Sequence, residues 1–431
     1  MKSLNLFLIV FLLLFTYCSD NNSNSNIPNR GKFVNISQSQ ELDTSWFHTE
    51  IMKIDHSDPV FISYKDAIDV IKTKKAKLFV PLFAQFEYKS LNNKKQETTL
   101  SGLVLFPFTL KKEEISSIPV ICLTHGTQIL RKHAPSNFNL NLEDFPEVAI
   151  GLIIAATGYV VVMPDYQGMG KDDSEFHPFC IGELLGIASA DMIAAIRDFA
   201  ASNEVPFGLN NQNFFMGYSE GGYATLAAVR EFEKSYPKLE LTGAVPMEGP
   251  YDLSGTMAGV MVADTAFPEP YFLPYVIRGY QEIYPSIFSW ENVLNEEFLS
   301  KIPPVLDGYH NGKAINQVMP QDRVLKKIFS NDFIANLQNQ NSDVFKNLDA
   351  NNLNKGWAPR TKVHLIHCTK DDCVPYNNTL VTYNFFRDVM KLSNVTKFEP
   401  ELYIPLGEIV HVNAAPGCFL YGYLWILEHS N

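Results

Sequence analysis

Positive charge is in short supply in this chain of 431 residues. Its 35 Lys and Arg face 47 Asp and Glu, a formal net charge of −12 at pH 7. Nucleic-acid binding draws on cations that neutralise phosphates, so this balance speaks against such a partner. Cysteine is scarce too, at six residues, too few for a disulfide scaffold in a chain of this length. No H-E-x-x-H motif and no Walker A loop occurs, and Gly168-Met169-Gly170 lacks dinucleotide-binding spacing. Neither a metal site nor a nucleotide site is therefore expected. A bilayer span of about 20 apolar residues is also missing; the run from Leu4 to Tyr17 falls short of it.

What is present is apolar mass. Hydrophobic residues make up 46% and aromatics 13%, enough for a large core and too much for a disordered chain. At the N-terminus, Lys2 precedes the short apolar run, and an Asn/Ser-rich tract follows from Ser19. That order reads as an export signal over residues 1–17 and a flexible tether over 18–31. A signal ending at a cysteine, Cys18, resembles a bacterial lipoprotein, which implies a lipid on Cys18 and anchoring at the cell envelope. Tyr17 is larger than the residue that pattern places before the cysteine, so ordinary cleavage and secretion stay open. Of the other five cysteines, Cys122 sits in an apolar strand pattern and reads as a buried thiol. A bridge between Cys373 and Cys418 is one arrangement open to the rest. Cys368 and Cys373 lack the second pair that a zinc site needs.

Residues 32–81 form an N-terminal extension of mixed polarity, with a helix expected from Asp66. From Leu82 the pattern alternates like a half-buried strand, and Thr98 to Phe108 reads as its hairpin partner. Short apolar runs then alternate with helical stretches. Strands are expected at 119–124, 159–163, 214–218, 243–247, 363–367 and 400–404. Helices are expected at 148–157, 182–201, 221–232, 379–392 and 414–427. Repeated strand–helix–strand units predict an α/β fold with a mostly parallel central sheet covered by helices on both faces. Residues 82–250 and 357–431 would form this core. Residues 251–356 show no strand pattern and carry clustered aromatics from Phe267 to Trp290. They are too long for a bare loop, so a helical cap inserted into the core is expected.

The strongest chemical signal is Gly217-Tyr218-Ser219-Glu220-Gly221, a G-x-S-x-G pattern placed where a strand gives way to a helix. The turn needs residues without side chains around the serine, so Gly217 and Gly221 form the elbow and Ser219 is the candidate nucleophile. A serine hydroxyl needs a base. In the chain order Ser, acid, His, the candidates are Asp371, after the strand ending at His367, and His411, after the next strand. Asp372 is the rival acid. His125, His177 and His367 are rival histidines, of which His367 precedes the acid and His125 reads as structural. The oxyanion of an acyl-transfer intermediate needs two N–H donors. The backbone of Glu220, next to the nucleophile, and of Thr127, in the Leu123-Thr124-His125-Gly126-Thr127 loop, fit that need.

Together these segments, with Met163-Pro164-Asp165-Tyr166-Gln167-Gly168-Met169-Gly170 and Asp371-x-x-Val374-Pro375, resemble the α/β-hydrolases. Within them they are most similar to bacterial esterases related to the secretory lipases, over roughly residues 82 to 430. The resemblance implies a Ser219–His411–Asp371 triad, no cofactor, hydrolysis of carboxylic esters, and a turn-fixing rather than catalytic Asp165. It implies a small-molecule or lipid ester as substrate. The same triad also serves peptidases and thioesterases, and a non-catalytic surface-anchored binding protein on this scaffold is the remaining alternative. Asn35, Asn377 and Asn394 open glycosylation sequons by pattern only.

Overall fold

The computed structural model describes residues 29–43, 45–46, 49, 79–108, 117–172, 175–201, 207–400 and 411–430. The expected signal sequence, Cys18, the helix expected from Asp66, and residues 401–404 of the strand expected at 400–404 lie outside them.

Nine strands form one sheet in the order β1-β2-β3-β5-β4-β6-β7-β8-β9. They are β1 Phe33–Glu41, β2 Val80–Leu91, β3 Glu97–Phe108, β4 Ile118–Thr124, β5 Val160–Pro164, β6 Leu209–Tyr218, β7 Gly243–Met247, β8 Lys362–Ile366 and β9 Val395–Phe398. The first three run antiparallel, and β3 pairs antiparallel with β5. From β5 through β4, β6, β7 and β8 to β9 every pairing is parallel.

The central strands are mostly apolar where both of their faces are covered, as in Val120–Leu123, Val160–Met163 and Phe214–Met216. Alternation assigns each residue to one side. Val120, Cys122, Val160, Val162 and Phe215 join one hydrophobic cluster, while Ile121, Leu123, Val161, Met163 and Phe214 join the other. The first cluster also takes the inner faces of α2 (Gly182–Ala201) and α3 (Glu220–Ser235). The second takes α1 (Pro146–Ala156) and α8 (His411–His429).

One strand was not expected. β1 runs along β2 from Phe33↔Tyr88 to Glu41↔Leu82, in a stretch whose side chains are mostly exposed. An edge strand with one wet face and polar residues on it carries little hydrophobic signal. Its start is tied down by Arg30, whose guanidinium donates to Asp191 on α2 at 2.6 Å and to Glu231 on α3 at 2.8 Å.

Between β7 and β8, residues 248–361 hold no strand; two isolated bridges, Ala266↔Val324 and Leu294↔Phe329, stitch them internally. Their longer helices are α4 Phe272–Ile283, α5 Asn331–Gln338 and α6 Asp343–Ala350. The last two begin at Ser330 and Ser342, whose side chains accept the N–H of Phe333 and Phe345, the usual role of serine at a helix start. Helix α7, Asn377–Asn384, follows β8.

Candidate active site

β6 ends at Tyr218 and α3 begins at Glu220, leaving Ser219 alone in the turn with φ 60° and ψ −123°. That is a costly conformation for a residue with a side chain. It is held by the Ser219 N–H donating to the Met247 carbonyl at 2.9 Å and the Tyr223 N–H donating to the Ser219 carbonyl at 3.0 Å. The glycines are required by contact. A Cβ on Gly217 would lie 2.3 Å from the Thr124 carbonyl oxygen, and one on Gly221 would lie 2.1 Å from the same atom. The turn is thus pressed against the loop that follows β4. The N-terminus of the 16-residue helix α3 faces this point and favours negative charge there.

The turn after β8 carries Asp371. Its Oδ1 accepts the N–H groups of Cys373 at 2.9 Å and Val374 at 2.8 Å, which aims Oδ2 at His411 Nδ1, 2.7 Å away. The other ring nitrogen, Nε2, lies 2.8 Å from Ser219 Oγ. Ser219, His411 and Asp371 therefore form one continuous hydrogen-bonded chain. The rival acid Asp372 has a different job: its Oδ1 accepts the backbone N–H of His411 at 2.8 Å and so fixes the first residue of α8.

Burial opposes the charge on His411, but the neighbouring Asp371 carboxylate outweighs it and raises the imidazole above the ordinary histidine value. Burial likewise works against the Asp371 charge, and His411 and His367 overcome it, holding this carboxyl well below the usual range. His367 is buried behind the site, with Nε2 2.8 Å from the Val374 carbonyl and 3.3 Å from Asp371 Oδ2. His125 is also buried, its Nδ1 2.7 Å from the Gly126 carbonyl, and burial lowers its pKa to about 4. Asp165 is fully buried, accepting from Ser101 Oγ at 2.6 Å and the Ser136 N–H at 2.8 Å. None of these three hydrogen-bonds to Ser219; each braces a loop.

A second carboxylate stands at the site that sequence spacing did not single out. Glu248, the residue after β7, has φ 47° and is wholly buried. Its Oε2 lies 3.3 Å from His411 Nδ1 and in hydrogen-bond contact with Tyr218 Oη. Its Oε1 accepts the Cys368 N–H at 2.9 Å. One acid among 47 carries no motif. Its only sequence signal is its place at the carboxyl end of a core strand, where open α/β sheets put their sites.

Thr127 and Glu220 border the same cavity as Ser219 and His411. The Gly126 N–H beside Thr127 is already taken by both oxygens of Glu147, each at 3.0 Å. The Glu220 side chain is buried and paired with His177, Oε1 to Nε2 at 2.6 Å. The rest of the cavity wall is apolar, and much of it comes from the strand-free segment: Leu253, Met257, Phe267, Phe272, Leu273 and Val276.

The bridge considered between Cys373 and Cys418 is not formed. Cys418 Sγ instead faces Glu248 Oε1 at 3.5 Å, and the sulfur beside it, within 4.8 Å, is that of Cys368. The chain reversal after β8 turns Cys373 toward the cavity while Cys418 points from α8 toward the sheet. Two sets of three metal-capable side chains occur among the described residues, Glu248–Cys368–Cys418 and Glu248–Asp371–His411. Both are buried and both depend on Glu248, whose oxygens already meet Tyr218 and the Cys368 N–H.

Comparison with known proteins adds three findings. The sequence profile described as secretory lipase matches residues 147–403. The secreted triacylglycerol lipase LIP3 of Malassezia restricta is 22% identical over 329 residues, 72% of this chain and 66% of that protein. The chain thus spans just under two thirds of that relative's length. Among solved structures, the rice cell wall degrading esterase LipA of Xanthomonas oryzae superposes with a TM-score of 0.73 at 22% identity, over 94% of this chain and 100% of that one. Candida antarctica lipase A in its closed state gives 0.61 at 19% identity, over 95% and 84%. These likenesses show the α/β-hydrolase fold.

Proposed function

The chain belongs to the secretory lipase family, a family of carboxylic ester hydrolases, and on that premise we propose that it cleaves carboxylic esters through Ser219, His411 and Asp371. The observation that carries this is the hydrogen-bonded chain from Ser219 Oγ to His411 Nε2 at 2.8 Å and from His411 Nδ1 to Asp371 Oδ2 at 2.7 Å.

Ser219 Oγ attacks the ester carbonyl carbon while its proton passes to His411 Nε2. Asp371 keeps the Nδ1–H in place and stabilises the imidazolium that forms. The N–H groups of Thr127 and Glu220 receive the tetrahedral oxyanion. The carbon–oxygen bond to the alcohol breaks, and the alcohol takes the proton from His411. Water then attacks the acyl-enzyme with His411 again as base, releasing the acid and restoring the serine hydroxyl.

The apolar cavity wall supports an acyl or aryl group as the buried part of the substrate, with the segment 251–356 acting as cap over it. The secreted relative supports export, and the expected signal at residues 1–17 fits that route. Lipid attachment at Cys18 would then hold the enzyme at the envelope. No helix among the described residues is long and apolar enough to cross a membrane.

The test is a chain-length series of p-nitrophenyl esters, with aminoacyl amides and acyl thioesters beside it, on wild type and Ser219→Ala. Ester turnover lost in Ser219→Ala, together with fluorophosphonate labelling of Ser219, is the expected result. Turnover that survives the substitution, or a marked preference for amides, overturns it.

A further inference from the structure

The pocket holds more acid than a triad uses. Glu248 Oε2 sits 3.3 Å from His411 Nδ1, but the single Nδ1 hydrogen is directed to Asp371 at 2.7 Å. Tyr218 Oη meets two oxygens, the His411 carbonyl at 2.5 Å and Glu248 Oε2. A phenol has one proton to donate. The carbonyl can only accept, so it takes that proton. The contact between Tyr218 and Glu248 is then satisfied only if Glu248 supplies the hydrogen. Its other oxygen, Oε1, accepts the Cys368 N–H at 2.9 Å and faces the Cys418 thiol at 3.5 Å. The hydrogen count therefore gives Glu248 an acceptor oxygen and a protonated one.

From this geometry we propose that Glu248 is a reserve acid of the site. It stays protonated and positions Tyr218 and α8 while Asp371 carries the charge, and it becomes the partner of His411 Nδ1 when that charge is removed. The inference rests on the proposed Ser219–His411–Asp371 chain. The groups facing Glu248 from the packed elements are Asp371 and His367 after and on the end of β8, His411 and Cys418 on α8, Tyr218 on β6, and Cys368. Burial first, and the Asp371 charge second, raise its pKa. Burial also raises Tyr218 well above the ordinary tyrosine value, so its phenol keeps the proton counted above. Two close carboxyls in a buried site do not both ionise. Loss of the Asp371 charge lets Glu248 ionise with an oxygen already beside the ring.

The experiment compares kcat and its pH profile in Ser219→Ala, Glu248→Leu, Glu248→Gln, Asp371→Asn and the Asp371→Asn/Glu248→Gln double variant, each checked for native circular dichroism. Glu248→Leu removes both hydrogen-bonding atoms and is expected to lower kcat about 30-fold, while Glu248→Gln, with an acceptor and a donor in the same places, recovers about tenfold of that. Loss of the acid costs about 10⁴-fold where no reserve exists; here Asp371→Asn is expected to lose about 10²-fold. Its activity should rise with pH along a limb that the double variant lacks. Glu248→Gln falling as far as Glu248→Leu, or identical rates and pH profiles for Asp371→Asn and the double variant, overturns the proposal. Should a variant at 248 fold poorly, the wild-type infrared spectrum decides. A protonated carboxylic C=O band at neutral pH, cancelled by isotope-labelled glutamate and kept in an Asp-labelled sample, is expected to remain after Glu147→Gln and Glu220→Gln; no such residual band sinks the idea. An inactive Ser219→Ala with these failures removes the reserve acid alone. An active Ser219→Ala removes the proposed function with it.

Discussion

Glu147 receives the Gly126 N–H on both of its carboxyl oxygens, each at 3.0 Å, from the first turn of α1. Gly126 precedes Thr127, so a half-buried acid anchors the loop proposed to offer an oxyanion donor. Burial pushes the Glu147 pKa up to about 8, against the smaller opposing pull of the Gly126 N–H. Between about pH 4.5 and 8 the unfolded chain has lost this proton and the native protein has kept it. The native state binds more protons there, so its stability falls as pH rises. Glu147→Gln should remove this contribution, at most about 5 kcal/mol across the window. Melting temperatures of the two proteins from pH 5 to pH 8 test it: the wild-type curve should fall more steeply, and parallel curves would count against it.

Under the proposed mechanism, the protonation of His411 sets the acid limb of activity. Its pKa is raised because the Asp371 carboxylate outweighs the effect of burial, and the base form is needed for attack on the ester. The rise of kcat/KM with pH should therefore lie above the ordinary histidine value of about 6.5. Removing the Asp371 charge together with the one Glu248 would take up in its place, in Asp371→Asn/Glu248→Gln, leaves burial dominant and should bring the ring below that value. Histidine NMR titration of the double variant measures it. A limb at or below the ordinary value in wild type would contradict the first half.

Gly221→Ala places a methyl about where the Thr124 carbonyl oxygen already is, since the built Cβ lies 2.1 Å from it. Backbone must move, at a cost of about 3 kcal/mol or more. The elbow and the β4 loop should shift apart, lowering both melting temperature and fluorophosphonate labelling of Ser219. Retention of both at wild-type levels would refute the close packing.

Leu273 and Val276 lie on α4 and line the cavity beside Ser219. Val276→Trp should shorten the space for the acyl chain. Each excluded methylene is worth about 1–3 kcal/mol, so octanoate turnover should fall at least about tenfold relative to acetate. Equal losses for both esters would place the acyl group elsewhere.

Arg30 joins the N-terminal strand to two helices through Asp191 and Glu231, both buried. Arg30→Ala strands two carboxyls with little solvent, and the cost of breaking such a pair is about 3–5 kcal/mol. A melting temperature within a degree or two of wild type would show that β1 is held by its backbone pairing alone.

Much of this molecule could be read from local pattern. The β5 and β7 runs, and β6 from Phe214 onward, are apolar because both of their faces are covered, and that burial is written in composition. Ser219 was legible because a turn of this tightness admits only glycine around it, and a steric requirement leaves a short, fixed signature. Asp371 and His411 were legible through chain order. What escaped was of two kinds. β1 pairs along an exposed edge, so its polar residues met no hydrophobic requirement. Glu248 and Glu147 carry no motif, since an acid needs only one position in space and any point along the chain can supply it.

The chain by itself determined which segments are buried, where the elbow falls, and the order of Ser219, Asp371 and His411, the proposed nucleophile, acid and base, because these depend on side-chain volume and neighbours in sequence. Only the tertiary structure decided that Asp371 takes His411 Nδ1 while Asp372 holds its backbone, that Glu248 stands beside the same nitrogen, and that Cys418 lies next to Cys368 and not Cys373. Those choices rest on distances of about 3 Å between distant elements, where hydrogen-bond energy falls away steeply with misplacement, and only packing sets them.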